Sequence, residues 1–314
     1  MDVFLTVDVE IWPKNWDSSH ERFPGYFNQF IRGRTSRGDF GLPFQLKVLA
    51  ERGLKCIFFV EALFACEFGT GPLAEIIDLI RESGQEVQMH LHTEWVKHSR
   101  RPILPGRQGL NLRDFSLAEQ EILLTTGLKN FSECGLNSIC AFRAGNFGAN
   151  LDTLRALNRV GINIDSSVNR AAKVEPFLQE PITDPKVIES VVEFPVTVYE
   201  DANGRLRHLQ VAASSSSEMM SVLSQVHEQG RRTAVVFWHS AELLNTSRTL
   251  PDRFAIRRFE KLCDFLAQHR DRFSTVGFSD ASYASSTDHA FPQPRVGWTD
   301  TVLRQGEQAL RRLV

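Results

Sequence analysis

Short apolar runs alternate with longer segments of helical periodicity along most of the chain. The runs are rich in β-branched and aromatic residues, and they predict strands over residues 3–9, 56–60, 86–92, 137–142, 162–167, 232–238 and 273–278. Between them, apolar residues recur every three to four positions and predict helices over residues 41–52, 72–82, 116–134, 151–159, 218–229 and 254–269. This alternation predicts an α/β fold with a mainly parallel sheet.

Three segments depart from the alternation. Residues 191–200 and 206–211 flank Asn203-Gly204, a pair that fits a type I′ turn, so they predict a β-hairpin. Residues 299–314 are amphipathic and predict a C-terminal helix packed on the outside. Residues 96–115 are polar, contain glycine and proline, and predict a long loop of the kind that often carries function.

Two architectures fit this order of elements, an open doubly wound sheet and a closed or distorted (β/α) barrel. No linker divides the chain, since the serine run at 214–217 is too short to separate domains. We therefore expect one domain over residues 1–314, with a core at about 3–280 and a C-terminal extension at 281–314.

Composition indicates which partners and which cellular compartment to expect. Hydrophobic residues make up 42% and charged residues 24% of the chain, and the formal charge is −2, so neither nucleic acid nor an anionic membrane is an expected partner. The pattern predicts no secretory signal and no membrane insertion. Five cysteines without Cys-x-x-Cys spacing indicate reduced thiols and a cytoplasmic protein. The oligomeric state stays open.

Candidate chemistry lies at the ends of the predicted strands, where both architectures place an active site. Asp8 and Glu10 are two positions apart and point to the same face of the first strand. Two carboxylates among apolar neighbours are costly unless a cation or a proton separates their charges. The ordinary alternative is a solvated strand end.

A second group closes the third strand. The same alternation places His90, His92 and Glu94 on one face, and imidazole and carboxylate ligands at this spacing suit a Zn²⁺-like ion with one position left for water. A single buried histidine would more often be a core residue, but two histidines followed by a glutamate favour a metal site.

Three further polar residues end later strands. Arg143 has the chemistry to orient a carboxylate through a bidentate pair, although a surface arginine is an equal alternative. Asp165 either takes part in a site or caps a turn. His239 ends a strongly apolar strand, where it suits acid–base work or is a buried structural histidine.

The ordered set of motifs resembles the polysaccharide deacetylase family, also described as the NodB-homology domain or carbohydrate esterase family 4. The matching segments are Thr-Val-Asp-Val-Glu at 6–10, His-Leu-His-Thr-Glu-Trp at 90–95, Phe-Arg-Ala-Gly-Asn-Phe-Gly-Ala-Asn at 142–150, Asp-Ser-Ser at 165–167 and Trp-His-Ser-Ala-Glu at 238–242. The resemblance spans residues 3 to 280 and implies a distorted (β/α) barrel with about seven parallel strands. It also implies a metal-dependent hydrolase that removes N-acetyl groups from a saccharide or polysaccharide precursor. The implied cofactor is a divalent metal ion, and Zn²⁺ is the expected one.

The resemblance implies roles for individual residues. The implied metal ligands are Glu10 and His90, and the implied catalytic residues are Asp8 as general base, Arg143 as its holder, His239 as general acid and Asp165 as the support of His239.

Two departures from the family pattern leave the metal ligands open. Val9 separates two acids that are commonly adjacent, and Glu94 stands where the family has its second metal histidine. The ligands are therefore Glu10, His90 and His92, or His90 with two carboxylates. Two alternative functions also stay open: hydrolysis of a cyclic amide, as in allantoinase-like relatives, and an inactive relative that binds a saccharide or a partner.

Overall fold

The computed structural model describes residues 1–16, 19–100, 102–280 and 291–311. Its strands are β1 (Asp2–Val9), β2 (Arg34–Thr35), β3 (Gly38–Asp39), β4 (Ile57–Glu61), β5 (Glu86–Leu91), β6 (Ala141–Ala144), β7 (Ile164–Asp165), β8 (Lys186–Ile188), β9 (Val191–Glu193), β10 (Val198–Glu200), β11 (Leu206–His208), β12 (Thr233–His239) and β13 (Ser274–Thr275). Its α-helices are α1 (Ser19–Phe27), α2 (Leu42–Glu51), α3 (Ala65–Phe68), α4 (Gly71–Glu82), α5 (Glu94–His98), α6 (Leu117–Glu133), α7 (Leu151–Arg159), α8 (Ser216–Glu228), α9 (Arg253–Gln268) and α10 (Trp298–Arg311).

Seven parallel strands form the continuous part of the main sheet, in the order β12, β1, β4, β5, β6, β7 and β9. Strand β8 extends this sheet as an antiparallel edge beside β9, and β13 pairs with the first residues of β1. Because the seven strands are parallel, their carboxyl ends meet at one rim. Asp8 is opposite His239, and His90 is opposite Arg143.

The sheet curls until its two sides meet through irregular segments. After β9, the backbone N–H of Thr197 donates to the carbonyl of Val235 in β12 at 3.1 Å. Leu209 and Val211 then exchange backbone hydrogen bonds with Phe237. These bonds close the distorted barrel that the resemblance implied, and its count of about seven parallel strands is confirmed.

Alternation along β1 separates an outer layer from the barrel interior. Val3, Leu5 and Val7 belong to the large cluster that packs under the helices, whereas Phe4 belongs to an inner cluster. The interior-facing apolar residues are Phe4, Ile57, Phe59, Ala141, Ile164, Phe194, Val196, Val235, Phe237 and Phe278. Polar side chains take over this inner face toward the carboxyl ends of the strands.

The hairpin prediction is confirmed in its second half. Strands β10 and β11 pair around a turn in which Gly204 has φ +72°, a left-handed conformation that glycine adopts without strain. Residues 191–200 nevertheless hold two separate strands, because β9 belongs to the barrel. Helix α6 begins with a capping box, in which Ser116 N–H donates to Glu119 Oε2 at 2.8 Å.

Other predictions need correction at their edges. The predicted loop 96–115 contains the end of α5 and a short 3₁₀ turn, Leu112–Asp114. Helix α1 was not predicted, because Pro24 and Gly25 interrupt its apolar pattern. The C-terminal helix is present as α10, but its predicted last three residues lie outside the described residues.

No helix in the described ranges combines the length and the hydropathy needed to cross a membrane. The single-domain assignment stays a prediction.

Candidate active site

Asp8 and Arg143 form a buried ion pair inside the rim. Arg143 Nη1 donates to Asp8 Oδ1 at 2.8 Å and to Thr6 Oγ1 at 2.9 Å. Arg143 Nε and Nη2 donate to the backbone carbonyl and the hydroxyl of Ser166, both at 3.0 Å. The guanidinium also lies over the ring of Phe59, 4.4 Å from its centroid. With all these contacts Arg143 is fixed in one orientation, and it fixes the carboxylate of Asp8.

Glu10, His90 and His92 converge beside this pair. Glu10 Oε1 lies 3.0 Å from His90 Nε2 and 3.2 Å from His92 Nε2. These three ligand atoms lie within 4.8 Å of one another. Trp12 Nε1 donates to the other oxygen of Glu10 at 2.5 Å, so the orientation of this carboxylate is fixed as well.

Each histidine is held by its second ring nitrogen. His90 Nδ1 lies 2.8 Å from the carbonyl oxygen of Arg143, an acceptor that requires the proton on Nδ1 and leaves the lone pair on Nε2. His92 Nδ1 lies 3.3 Å from Glu94 Oε2, and Asn146 Nδ2 donates to the other oxygen of Glu94 at 3.3 Å. Glu94 therefore contacts the back of the His92 ring, away from Glu10.

Burial and charge oppose each other in this group. Burial disfavours the charged form of Glu10, but His92 and the hydrogen bonds from both histidines hold the pKa of Glu10 well below its usual value. Burial also opposes a charge on His92, yet Glu10 and Glu94 raise the pKa of His92 to about 10. Glu10 therefore keeps its negative charge only because positive charge lies beside it.

The donor set fits a divalent metal ion. Two imidazole Nε2 atoms and one carboxylate oxygen are the ligands of many catalytic zinc sites. Ligand atoms of a tetrahedral zinc ion with bonds of about 2.0 Å lie about 3.3 Å apart. The Glu10–histidine distances of 3.0 and 3.2 Å are close to that separation. Glu10, His90 and His92 are thus the residues that would hold the ion, and Glu94 is placed to orient His92.

His239 also faces Glu10. Its Nε2 is 3.9 Å from Glu10 Oε1, and its Nδ1 is 3.0 Å from Glu242 Oε2. Burial lowers the proton affinity of this ring, but the hydrogen bond with Glu242 and the charge of Glu10 raise the pKa of His239 to about 9. The imidazole is 39% exposed, so it is accessible to a substrate.

Asp165 lies apart from His239 in this arrangement. It accepts hydrogen bonds from the hydroxyl of Ser167 at 2.7 Å and from its backbone N–H at 3.2 Å. Burial raises the pKa of both carboxyl groups, and the charge of Asp165 and the hydrogen bond between the two groups help to raise the pKa of Glu193 well above its usual range. Among the described contacts, the carboxylate that holds His239 Nδ1 is Glu242. The support that the resemblance expected from Asp165 is therefore available from Glu242.

Several residues of the rim were not singled out from the sequence. Glu61 ends β4 and accepts backbone N–H bonds from Leu63 and Phe64 at 2.8 Å, and burial raises the pKa of Glu61 to about 7. Glu193 is buried in β9. A charged residue within an otherwise apolar strand was the available signal for both. Glu242 and Trp12 carried no such signal, because their roles depend on loops.

The barrel and its polar rim define a class of protein: the fold is that of the polysaccharide deacetylases. A protein from Mycobacterium smegmatis named as a polysaccharide deacetylase is similar with TM-score 0.56 and 18% identity, over 88% of this chain and 87% of that one. A family 4 carbohydrate esterase from Streptomyces lividans has TM-score 0.43 and 11% identity, over 87% and 90% of the two chains. A family 4 acetyl xylan esterase from Clostridium thermocellum, in complex with a cobalt ion, has TM-score 0.41 and 12% identity, over 89% of each chain.

No protein-family model matches the sequence, and no curated protein matches it either. The structural likeness thus confirms the resemblance at the level of the fold.

Proposed function

We propose that this chain is a metal-dependent hydrolase that removes acetyl groups from an N-acetylated saccharide or polysaccharide precursor. The observation that carries the proposal is the convergence of Glu10, His90 and His92 beside the Asp8–Arg143 pair. The deacetylases and esterases of the same fold support the choice of an acyl group on a sugar as substrate. Zn²⁺ is the proposed ion, because two imidazoles and one carboxylate suit it.

The residues of this chain divide the work as follows. Glu10, His90 and His92 would hold a divalent ion, which when bound would supply Lewis acidity toward the acetamide carbonyl. Asp8 accepts the proton of the attacking water, and Arg143 holds Asp8 in position through the 2.8 Å contact. His239 donates a proton from Nε2 to the departing amine. Its raised pKa keeps that proton in place at neutral pH.

Glu242 is proposed as the positioning residue of His239, and Glu94 as that of His92. Both carboxylates contact Nδ1 and leave Nε2 turned toward Glu10. The support of His239 that the resemblance implied for Asp165 is assigned to Glu242 instead, because the contacts of Asp165 are with Ser167 and Glu193. The proposed location is the cytoplasm, because the five cysteines lack Cys-x-x-Cys spacing and are scattered along the chain.

The test combines metal content with acetate release. Metal is measured by mass spectrometry on untagged protein, for the wild type and for Glu10→Gln and His90→Ala, with His227→Ala on α8 as the matched control. Near-stoichiometric metal in the wild type and the control, lost in the two variants, is expected. Acetate release is then measured on neutral and anionic N-acetylated sugars.

His239→Ala should reduce turnover by about 10²–10⁴-fold, because the departing amine loses its proton donor. Unchanged turnover would contradict the role of His239. If the wild type holds no metal after incubation with Zn²⁺, Co²⁺ or Ni²⁺, the hydrolase proposal fails and a binding protein on the same fold remains. Hydrolysis of a cyclic amide without acetate release would favour the allantoinase-like alternative.

A further inference from the structure

Two adjoining pockets meet at one arginine beside the candidate active site. The first, of about 470 Å³, is lined by Glu10, Trp12 and His239 among others. The second, of about 660 Å³, runs away from these residues past α1. Arg248 lines both pockets. Arg248 is therefore part of the wall that both pockets share, and it borders the space beside His239.

The loop around Arg248 is tightly organised. Leu244 and Pro251 form an antiparallel bridge at its base, and the side-chain oxygen of Asn245 accepts hydrogen bonds from the backbone N–H groups of Thr249 and Leu250, at 3.0 and 3.2 Å. Arg248 itself has φ +56°, a conformation that costs free energy in a residue with a side chain. The loop thus presents this one side chain in a defined position.

Arg248 has no ion-pair partner in the described part of the chain. Its guanidinium lies over the ring of Phe30, 4.3 Å from the centroid. Burial lowers the pKa of Arg248, and the nearby charge of Glu10 acts in the opposite direction. By contrast, Arg311, which also lines the first pocket, donates to Asp252 at 2.6 Å and to the carbonyl of Ala212 at 2.7 Å. Of the two arginines that line the first pocket, Arg248 is therefore the one whose guanidinium is available to bind an anionic ligand.

The second pocket continues the positive charge. Its lining includes Lys14, Arg22, Arg34 and Arg248 and a single carboxylate, that of Glu21, while Arg34 also pairs with Asp39 at 3.5 Å. The chain as a whole has a formal charge of −2, so this local excess of cations is a property of the pocket and not of the composition. Such a surface attracts anions and repels cations.

We propose that Arg248 binds an anionic group, a carboxylate or a phosphate, on the same saccharide whose acetamide reacts at His239. The planar guanidinium offers a fork of N–H donors that matches both anions. The second pocket, with Lys14, Arg22 and Arg34, accommodates the remaining acidic part of the molecule. This inference rests on the proposed function and deepens it, because it makes the substrate an anionic N-acetylated saccharide.

The experiment measures binding without turnover. In an Asp8→Asn background, affinities are determined by calorimetry for three probes: UDP-N-acetylglucosamine as the phosphate source, 2-acetamido-2-deoxyglucuronic acid as the carboxylate source, and neutral N,N′-diacetylchitobiose. Each is measured with Arg248, with Arg248→Asn, which tolerates a positive φ, and with Arg248→Lys, which keeps the charge without the fork. Arg257→Asn, an exposed position on α9, is the matched control.

Arg248→Asn should weaken binding of the preferred anionic probe by about 10- to 100-fold, the range for a hydrogen bond to a charged group. The neutral probe should change by less than about twofold, Arg248→Lys should recover part of the loss, and Arg257→Asn should have no effect. The anionic probe with the larger loss identifies the source of the anion.

Equal losses for the anionic and neutral probes, or no loss in Arg248→Asn, would overturn the inference. So would the absence of binding by both anionic probes at millimolar concentration. These results are distinguishable from failure of the proposed function. In that case metal and acetate release are missing while the anion preference remains, whereas failure of this inference leaves acetate release from neutral sugars intact.

Discussion

The backbone of Gly145 touches the ring of His92. A Cβ atom at position 145 would lie 2.6 Å from His92 Nδ1 and 2.7 Å from Cε1 and Cγ. The ring has little room to retreat, because it is buried and lies edge-on against Trp12 with centroids 4.5 Å apart. His92 can therefore hold its position only because residue 145, directly after β6, is a glycine.

Gly145→Ala should displace His92 and weaken metal binding by about 10- to 100-fold, the effect expected when the support of a ligand is lost. Competition with a chelator measures this affinity, and circular dichroism checks that the fold is retained. Gly71→Ala is the control, since a Cβ there meets no atom within 4 Å. Equal metal affinity in Gly145→Ala and the control would contradict the prediction.

Glu94→Gln separates a metal ligand from a positioning residue. Because Glu94 contacts Nδ1 of His92, the variant should still bind metal, with affinity reduced by about 10- to 100-fold. Glu10→Gln should lose the metal almost completely under the same conditions. If the two variants lose metal to the same extent, Glu94 is itself a ligand.

At the scale of elements, β7 and β9 bring two buried carboxyl groups together. Asp165 is opposite Glu193 in the register, and both side chains are inaccessible to solvent. Burial and mutual repulsion raise the pKa of Glu193 well above its usual value. A folded protein that retains a proton lost by the unfolded chain becomes less stable as pH rises from the unfolded pKa to the folded pKa.

Glu193→Gln should flatten this dependence, since glutamine imitates the protonated acid. The wild type should lose stability by up to about 1.4 kcal/mol per pH unit above the usual glutamate pKa, and the variant by less. Urea unfolding at pH 5 and pH 8 measures the difference. Glu51→Gln, at an exposed position of α2, should retain the slope of the wild type. An unchanged slope in Glu193→Gln would show that the proton is held elsewhere.

At the scale of the whole molecule, the proposed ion joins residues that are distant in the sequence, on two strands separated only by β4. Glu10 follows β1, whereas His90 lies in β5 and His92 just after it. An ion that binds only the folded barrel stabilises it in proportion to the logarithm of its concentration. Zn²⁺ at about 100 times its Kd should add about 2.7 kcal/mol to the free energy of unfolding. Thermal unfolding with and without a chelator checks this, and His90→Ala should show no such difference.

The pattern of the sequence predicted the barrel strands and the residues at their ends because burial and alternation are local properties. Asp8, Glu10, His90, His92, Arg143 and His239 all lie at the rim as expected. The partner of His239 was not predictable, because Glu242 reaches it through a turn after β12 and not through strand alternation. The role of Arg248 also depends on a loop, whose closure by Asn245 leaves no periodic signal. Periodicity thus predicted the strands, the family resemblance decided between an open sheet and a barrel, and neither predicted residues that loops bring to the rim.

The pairing of β1 with β12 has a consequence for how the protein is made. Residues 2–8 are aligned with residues 233–239, so a strand synthesised early has no partner on that side until most of the chain exists. At about 5–20 residues per second, a ribosome needs roughly ten to fifty seconds to cover that interval. During this time an apolar strand edge is exposed, and long-range parallel pairing is slow to form. We therefore expect the nascent chain to depend on chaperones until His239 emerges and the barrel closes around Asp8.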